Sequence, residues 1–168
     1  MGLKQITDLV NIGGTVTESA PNTFTEAVVN INLSPVDRQV FVITDVQFTS
    51  SEPEAILGVN TQCLYQVSKT PQTTMLTAQS PDLVSRGQKR IYSGAAEFNY
   101  AETDFSHPSA STGGRNDYLM ILATEDAHIA VVGGNNVGVM SASCRVTGYF
   151  ATADAATYNS LVLSELQA

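Results

Sequence analysis

The chain has 168 residues, which suits one domain, and a domain of that length can bury a core without disulfides or metal ions. Its hydrophobic content of 43% argues against global disorder, while its charged content of 14% is low for a soluble domain. With 16 acidic and 8 basic residues the formal net charge is −8, which argues against binding nucleic acid through its phosphates.

The first 20 residues predict an N-terminal arm or a short helix, because apolar residues have near-helical spacing before Gly13-Gly14 ends any regular element. These apolar residues are Leu3, Ile6, Leu9 and Val10. The segment lacks the basic stretch and apolar run of a signal peptide, and no apolar run in the chain reaches the ~18 residues of a membrane span. We therefore expect these side chains to pack on their own domain or on a neighbouring molecule.

A β domain is predicted over residues 21–151, because short segments with alternating apolar and polar residues follow one another between turns. In the first half of this domain the predicted strands are Phe24–Leu33, Arg38–Thr49, Ala55–Val59, Gln62–Lys69, Thr73–Ala78, Lys89–Ser93 and Ala95–Tyr100. The strand Arg38–Thr49 begins with apolar residues on both faces, which predicts a central position in its sheet. Gln79–Gln88 is predicted to be a loop.

Arg86–Arg90 concentrates basic residues in an otherwise acidic chain. The simpler interpretation is a solvated loop that leads into the following strand. The alternative is a docking point for an acidic partner surface. A second loop is predicted over Glu102–Asp117, which has no apolar period and is rich in Ser and Gly.

The second half of the domain contains the most regular strand of the chain, Val137–Phe150, after predicted strands at Tyr118–Thr124 and Ala127–Val132. Glu125-Asp126 is predicted to form a tight turn, and Gly133–Asn136 to form a hairpin turn. One row of the long strand is apolar and the other is polar, which predicts one face on a core and one on solvent or a partner. The apolar row is Met140, Ala142, Cys144, Val146 and Phe150.

Residues 152–168 predict a helical tail, with Asp154 as its N-cap and an apolar face of Tyr158, Leu161, Val162 and Leu166. Together the elements predict an all-β fold, an antiparallel β-sandwich of the jelly-roll type with a short C-terminal helix. An immunoglobulin-like sandwich is the alternative, but it usually contains a core Trp and this chain has none.

No catalytic residue, metal site or cofactor is predicted. His107 lies near Asp104 and Ser106 in the sequence. A catalytic triad needs the three side chains oriented towards one another, and proximity within one loop does not provide that orientation. Glu102, Asp104 and Glu125-Asp126 could offer oxygens to calcium, although such carboxylates more often belong to turns. Metal-binding motifs and a glycine-rich phosphate loop are missing from the sequence. Cys63 and Cys144 fall on predicted strands, where buried free thiols are expected.

The closing segment, from Gly133-Gly134-Asn135-Asn136 through the strand Ser143–Phe150 to the tail helix at Asp154–Leu161, resembles a known family. It looks like the C-terminal part of small β-sandwich virion proteins of bacterial and archaeal viruses, including single jelly-roll coat proteins. The low charge and the abundance of Thr, Ser, Asn and Ala are similar as well. The resemblance implies a non-catalytic capsid, decoration or tail-associated subunit.

This interpretation implies a symmetric homo-oligomer whose partners are copies of itself and other virion proteins, made in the host cytoplasm and located in the virion. The residues expected at its interfaces are Leu3, Ile6, Leu9, Tyr158, Leu161, Val162 and Leu166. Packing of the same side chains on the domain's own sheet is the competing expectation.

A carbohydrate- or ligand-binding β-sandwich module is the alternative function. Sugar sites usually offer exposed aromatic rings, and several aromatic residues flank the predicted loops. These residues are Tyr92, Tyr100, Phe105 and Tyr118.

Overall fold

A computed structural model of the chain describes residues 2–95, 98–106, 118–123 and 126–166. Within these ranges the chain forms ten strands and one helix. They are β1 (Leu3–Gln5), β2 (Val10–Thr17), β3 (Thr25–Asn30), β4 (Gln39–Ser50), β5 (Thr61–Ser68), β6 (Leu83–Ser93), β7 (Phe98–Ser106), β8 (Met120–Leu122), β9 (Asp126–Gly134), β10 (Ser141–Ala153) and α1 (Ala155–Leu166).

Two five-stranded sheets contain all ten strands, and every pairing is antiparallel. In the first sheet β10 lies between β4 and an outer edge that β1 and β2 form in succession, and β8 pairs with the far side of β4. The second sheet has the order β3-β9-β5-β6-β7. The predicted antiparallel β-sandwich is therefore confirmed.

The strand pairing is nested. The strand β2 pairs with β10, β3 with β9, β4 with β8 and β5 with β6. Each later strand of the first half therefore pairs with a strand that comes earlier in the second half. Eight strands that pair in this nested order and are divided between two sheets form a jelly roll. The strand β1 prolongs one edge of the first sheet, and β7 adds a fifth strand to the second.

The main core lies between the two sheets. Aromatic contacts cross it, because the rings of Phe48 on β4 and Tyr65 on β5 have their centroids 5.0 Å apart. Fully buried large side chains of this core include Phe41, Ile43, Tyr65, Leu122 and Ile129. Burial of apolar area of this kind is the main favourable contribution to folding.

A second apolar cluster lies on the outer face of the first sheet, under α1. Its fully buried members include Val40 and Val42, which alternate along β4 with the main-core residues Phe41 and Ile43. This explains why the first half of β4 is apolar on both faces. The register between β4 and β10 then shifts at Thr44, so that Val46 and Phe48 face the main core and Asp45 faces outward.

The predicted helix within residues 1–20 is wrong, because that segment forms β1 and β2 on the edge of β10. The expected break at Gly13-Gly14 is wrong as well, since both glycines lie inside β2. A Cβ atom added to Gly14 would lie 2.5 Å from Val29 Cγ2. Glycine here permits the close approach of β2 to β3.

Gln79–Gln88 was predicted as a loop, but β6 already begins at Leu83 and runs to Ser93. The predicted loop Glu102–Asp117 is wrong over its first part, where β7 continues to Ser106, and residues 107–117 lie outside the described ranges. Thr73–Ala78 forms no strand, and Ala55–Val59 contains a single bridge between Ile56 and Val59.

The predicted hairpin at Gly133–Asn136 is also wrong, because β9 belongs to the second sheet and β10 to the first. Residues 135–140 therefore connect the two sheets. The strands predicted at Ala127–Val132 and Val137–Phe150 are confirmed as β9 and β10 with shifted ends, and the tail helix is confirmed as α1. None of the helical structure in the described ranges is long and apolar enough to cross a membrane.

Candidate assembly surfaces

A buried carboxylate joins the two sheets at one end of the sandwich. Glu18 follows β2 and is only 4% exposed. Its Oε1 atom accepts hydrogen bonds from the backbone N–H groups of Thr23 at 3.0 Å and Gly133 at 2.6 Å. Its Oε2 atom accepts one from the N–H of Met140 at 2.7 Å. One side chain therefore joins the β2–β3 connection, the end of β9 and the residue before β10 at this end, which we call the loop end.

Asn136 is the second connector of the loop end. Its N–H donates to Asn22 Oδ1 at 2.9 Å while Asn22 Nδ2 donates to the Asn136 carbonyl at 2.8 Å, so the two residues bond reciprocally. Asn136 Oδ1 accepts from the N–H of Glu54 at 3.0 Å, and its Nδ2 donates to the Gln62 carbonyl at 2.7 Å. Asn22 holds a φ of 59°, a backbone conformation that Asn tolerates better than most residues.

Glu54 completes this frame by holding the segment before β10. Its two carboxylate oxygens accept hydrogen bonds from the N–H groups of Val137 at 2.6 Å and Gly138 at 3.0 Å. Three apolar side chains are exposed to solvent on this frame, beside polar ones such as Asn22 and Asn135. Val137 is 77% exposed, Val139 is 45% exposed, and Leu57 on the neighbouring loop is 56% exposed.

The tail helix packs on the chain's own first sheet. Tyr158, Leu161 and Val162 are half-buried against the second apolar cluster, and Leu3 contacts the same cluster from β1. Four of the seven residues expected at interfaces therefore contact their own domain. Their participation in an interface remains a prediction.

The ends of α1 are fixed by polar contacts. Asp154 caps its start, because Asp154 Oδ1 accepts from the N–H of Thr157 at 2.8 Å. This hydrogen bond lowers the pKa of Asp154. Near the other end Glu165 is buried, and its Oε1 atom accepts from the N–H of Ala123 at 2.9 Å. Glu165 thus attaches the C-terminal end of the helix to the residue that follows β8.

The other expected interface residues face solvent. Ile6 is 47% exposed, Leu9 is 62% exposed and Leu166 is 74% exposed. Ile6 and Leu9 lie between β1 and β2 along the edge of the first sheet. These three side chains are free to contact another molecule.

The residues of the alternative ligand site are divided between two places. On the second sheet Tyr92 of β6 pairs directly with Tyr100 of β7, and Phe105 pairs with Gly87. Tyr118 lies instead beside α1, where it lines a groove of about 490 Å³ with Ile121 and Leu161. The four aromatic residues therefore do not form one site.

The basic segment Arg86–Arg90 lies within β6 and not in a solvated loop. Lys89 Nζ lies 2.5 Å from Glu52 Oε1 and donates to the Ser50 carbonyl at 3.1 Å. Arg86 donates to the Leu76 carbonyl at 3.1 Å. Lys89 therefore connects β6 to the end of β4 and the segment after it, and Arg86 connects β6 to the loop before it.

The opposite end of the sandwich carries a Lys–Asp ion pair and a close contact between a histidine and a glutamate. Lys69 Nζ lies 3.4 Å from Asp82 Oδ1, and His128 Nδ1 lies 3.3 Å from Glu26 Oε1. Within the part of the chain that the structure describes, no three His, Cys, Asp or Glu side chains are grouped so that they could hold a metal ion. His107 of the crowded Asp-Ser-His segment lies outside the described residues.

Both cysteines are buried free thiols. Burial raises the pKa of Cys63 to about 12 and that of Cys144 to about 11. The thiolate is the nucleophilic form of cysteine, so these side chains are held in their unreactive state at neutral pH.

Comparison of the sequence with models of known protein families finds no match, and comparison with curated proteins finds no significant match.

Proposed function

We propose that the chain is a structural virion subunit, a capsid, decoration or tail-associated protein that assembles with copies of itself and with other virion proteins. Jelly rolls occur in viral capsids, but also in lectins and cupins, so the fold alone does not decide between functions. The observation that carries the proposal is the loop end, where a hydrogen-bonded frame presents apolar side chains to solvent.

The loop end suits association because its geometry is fixed before a partner arrives. Ordering loops on binding costs free energy, and the bonds of Glu18, Glu54 and Asn136 have already ordered these segments. Covering Leu57, Val137 and Val139 removes apolar surface from water. The low charged content of 14% also limits the cost of desolvating the surrounding surface.

The test is the native mass of the purified chain by light scattering, with negative-stain microscopy of the same sample. We expect rings, shells or other closed assemblies, and we expect Val137→Glu to reduce them. Val36→Glu is the matched control, because Val36 is 92% exposed but lies in the turn before β4, at the other end of the sandwich. A chain that stays monomeric at high concentration and does not bind to virions would contradict the proposal.

A carbohydrate-binding module is the second candidate function, favoured by the pairing of Tyr92 with Tyr100 on adjacent strands. Aromatic residues are enriched in ligand-binding clefts. A glycan array would decide this: binding that disappears in Tyr100→Ala or Phe105→Ala would favour the module. An array without binding would leave the virion proposal as the better explanation.

A further inference from the structure

The strand β2 leaves one line of backbone hydrogen-bonding groups open. The Ser141 carbonyl accepts a hydrogen bond from the N–H of Ser51 on the β4 side, and the Met140 carbonyl accepts one from the N–H of Glu18 on the β2 side. Because these directions alternate along a strand, the even-numbered residues of β2 bond to β10. The N–H and C=O groups of the odd-numbered residues therefore point to the free edge of the sheet. These residues are Asn11, Gly13, Thr15 and Thr17.

Natural sheets usually protect such an edge with charged residues, proline or very short strands. The other described edge strands follow this rule. The strand β3 contains Glu26, β7 contains Glu102 and Asp104, and β8 has only three residues. The strand β2 has eight residues, VNIGGTVT, without a charge or a proline. Its edge is thus open to another extended strand.

We propose that β2 pairs with β2 of a second copy of this chain, antiparallel and about a two-fold axis at Gly14. This proposal rests on the proposed function and names one contact through which the subunits associate. The first sheets of the two copies then form one continuous sheet. Such a two-fold contact uses the same surface of both molecules.

The register of this pairing follows from the directions of the backbone groups. Antiparallel strands exchange hydrogen bonds between residues that both point towards the shared edge. A two-fold axis at Gly14 pairs Asn11 with Thr17 and Gly13 with Thr15 of the second copy, so all four outward-pointing residues find partners. Between them Ile12 lies opposite Val16, and Gly14 lies opposite itself.

The lack of charge along β2 makes this edge a place where two copies of an acidic chain can meet. The chain has a net charge of −8, so two copies repel each other wherever acidic residues meet. The pairing of β2 with itself places no charged residue opposite another within the strand. Side chains on the outer face are small and polar, and Thr15 Oγ1 already lies within hydrogen-bond distance, 3.0 Å, of Ser143 Oγ. The edge therefore carries no charge and only short side chains on its outer face.

Gly13→Pro tests the pairing while sparing the monomer. Proline removes the outward N–H of residue 13, which β10 does not use, and a Cβ atom at this position has 3.7 Å to the nearest atom, the Cys144 carbonyl oxygen. Gly13→Ala is the matched control, because alanine keeps the N–H. Proline removes two hydrogen bonds of the two-fold pair, so we expect Gly13→Pro to weaken it about tenfold or more. Circular dichroism and thermal melting of both variants verify that the monomer still folds.

The measurements are sedimentation velocity over a range of concentrations and hydrogen exchange of the β2 amides. We expect the N–H groups of Asn11, Gly13, Thr15 and Thr17 to be protected in the associated protein and to exchange rapidly in dilute monomer. Assemblies that form equally in Gly13→Pro and Gly13→Ala, with these amides unprotected, would overturn the edge pairing but leave the virion function standing.

The opposite result would support the edge pairing of β2 and contradict the virion function. This result would be a two-copy complex that Gly13→Pro disrupts, without any larger assembly or binding to virions. A chain that remains monomeric with freely exchanging β2 amides would overturn both.

Discussion

Glu18 Oε1 accepts a 2.6 Å hydrogen bond from the backbone N–H of Gly133, although Glu18 follows a strand of the first sheet and Gly133 lies in the second. The same carboxylate also bonds to the N–H of Met140 in the segment that crosses back to the first sheet. The strands of different sheets do not pair with each other here. The buried Glu18 side chain links them instead, through its hydrogen bonds to backbone N–H groups.

Glu18→Gln should destabilise the domain by about 2 kcal/mol. The substitution keeps the shape of the side chain but replaces one acceptor oxygen with a donor, which then faces a backbone N–H group in a buried site. We expect a lower urea midpoint with an unchanged m-value.

Glu52→Gln is the control for Glu18→Gln. Glu52 is also paired, with Lys89, but its side chain is 77% exposed, so its removal should cost less than about 1 kcal/mol. Equal losses in the two variants would show that Glu18 does not have the structural role assigned to it.

Gly148→Ala should destabilise the domain by about 1–3 kcal/mol or more, because a well-packed site would have to accept an extra methyl group. A Cβ atom at this position would lie 2.3 Å from the Val42 carbonyl oxygen and 2.8 Å from the Phe41 ring. Gly13→Ala, on the adjacent strand, offers a matched comparison, since its Cβ has 3.7 Å to its nearest neighbour. Thermal melting of both variants measures the difference, and equal melting temperatures would contradict the tight contact at Gly148.

The strands that can be predicted from the sequence are those with one face on the core and the other on solvent, because their apolar and polar residues alternate. In β10 the even-numbered residues Ala142, Cys144 and Val146 are all buried in the main core, so the period-two pattern is visible along the strand. In β4 the outer residues Val40 and Val42 are covered by α1, which hides the alternation. The register shift at Thr44 then changes its phase.

The failures have equally local causes. The strand β2 carries Gly14 where the second sheet comes close, and the pair Gly13-Gly14 suggests a break in the sequence although the backbone is extended. In β6 basic residues lie within the strand because their long side chains reach backbone carbonyls of neighbouring segments, as Arg86 does to Leu76 and Lys89 does to Ser50 at the end of β4. The sequence alone does not show that the second sheet lies close to β2, or which carbonyl groups the basic side chains of β6 contact.

The sequence pattern does not indicate the loop end. Glu18, Glu54 and Asn136 are far apart in the chain, and each is bonded mainly to backbone groups, which leave no trace in the side-chain pattern. The available signal was the pair Asn135-Asn136 after two glycines, which suggested a turn. It did not indicate that the turn joins two sheets.

Both thiols should resist modification in the native protein. Because burial raises the pKa of Cys63 to about 12 and of Cys144 to about 11, almost no thiolate is present at pH 8. We expect no reaction with Ellman's reagent in native buffer and reaction of both cysteines in guanidinium. Rapid native reaction of either thiol would show that its strand opens readily.

The same pKa shifts predict an alkaline limit to stability. The folded-state pKa values lie above the ordinary 9.0, so the folded protein binds protons more tightly than the unfolded chain does. The stabilisation is fully present below pH 9 and is lost as the pH rises through about 11 and 12. Urea unfolding at pH 8 and pH 10.5 should show a lower midpoint at the higher pH, and Cys63→Ala should reduce the difference.

Leu161 and Leu166 separate packing from association in the tail helix. Leu161 is half-buried against the outer face of the first sheet, whereas Leu166 is 74% exposed. Leu161→Ala should therefore cost about 1–2 kcal/mol of stability, less than the truncation of a fully buried leucine. Leu166→Ala should leave the stability within about 0.5 kcal/mol, since exposed sites of this kind contribute little.

Measured together with native mass, these variants decide what the helix does. If α1 also joins subunits, Leu166→Ala lowers the assembled fraction at unchanged melting temperature. If the helix serves only its own sheet, Leu166→Ala changes neither quantity, and deletion of residues 154–168 destabilises the domain because it uncovers Val40 and Val42. A deletion variant that melts like the full chain would contradict the packing role of α1.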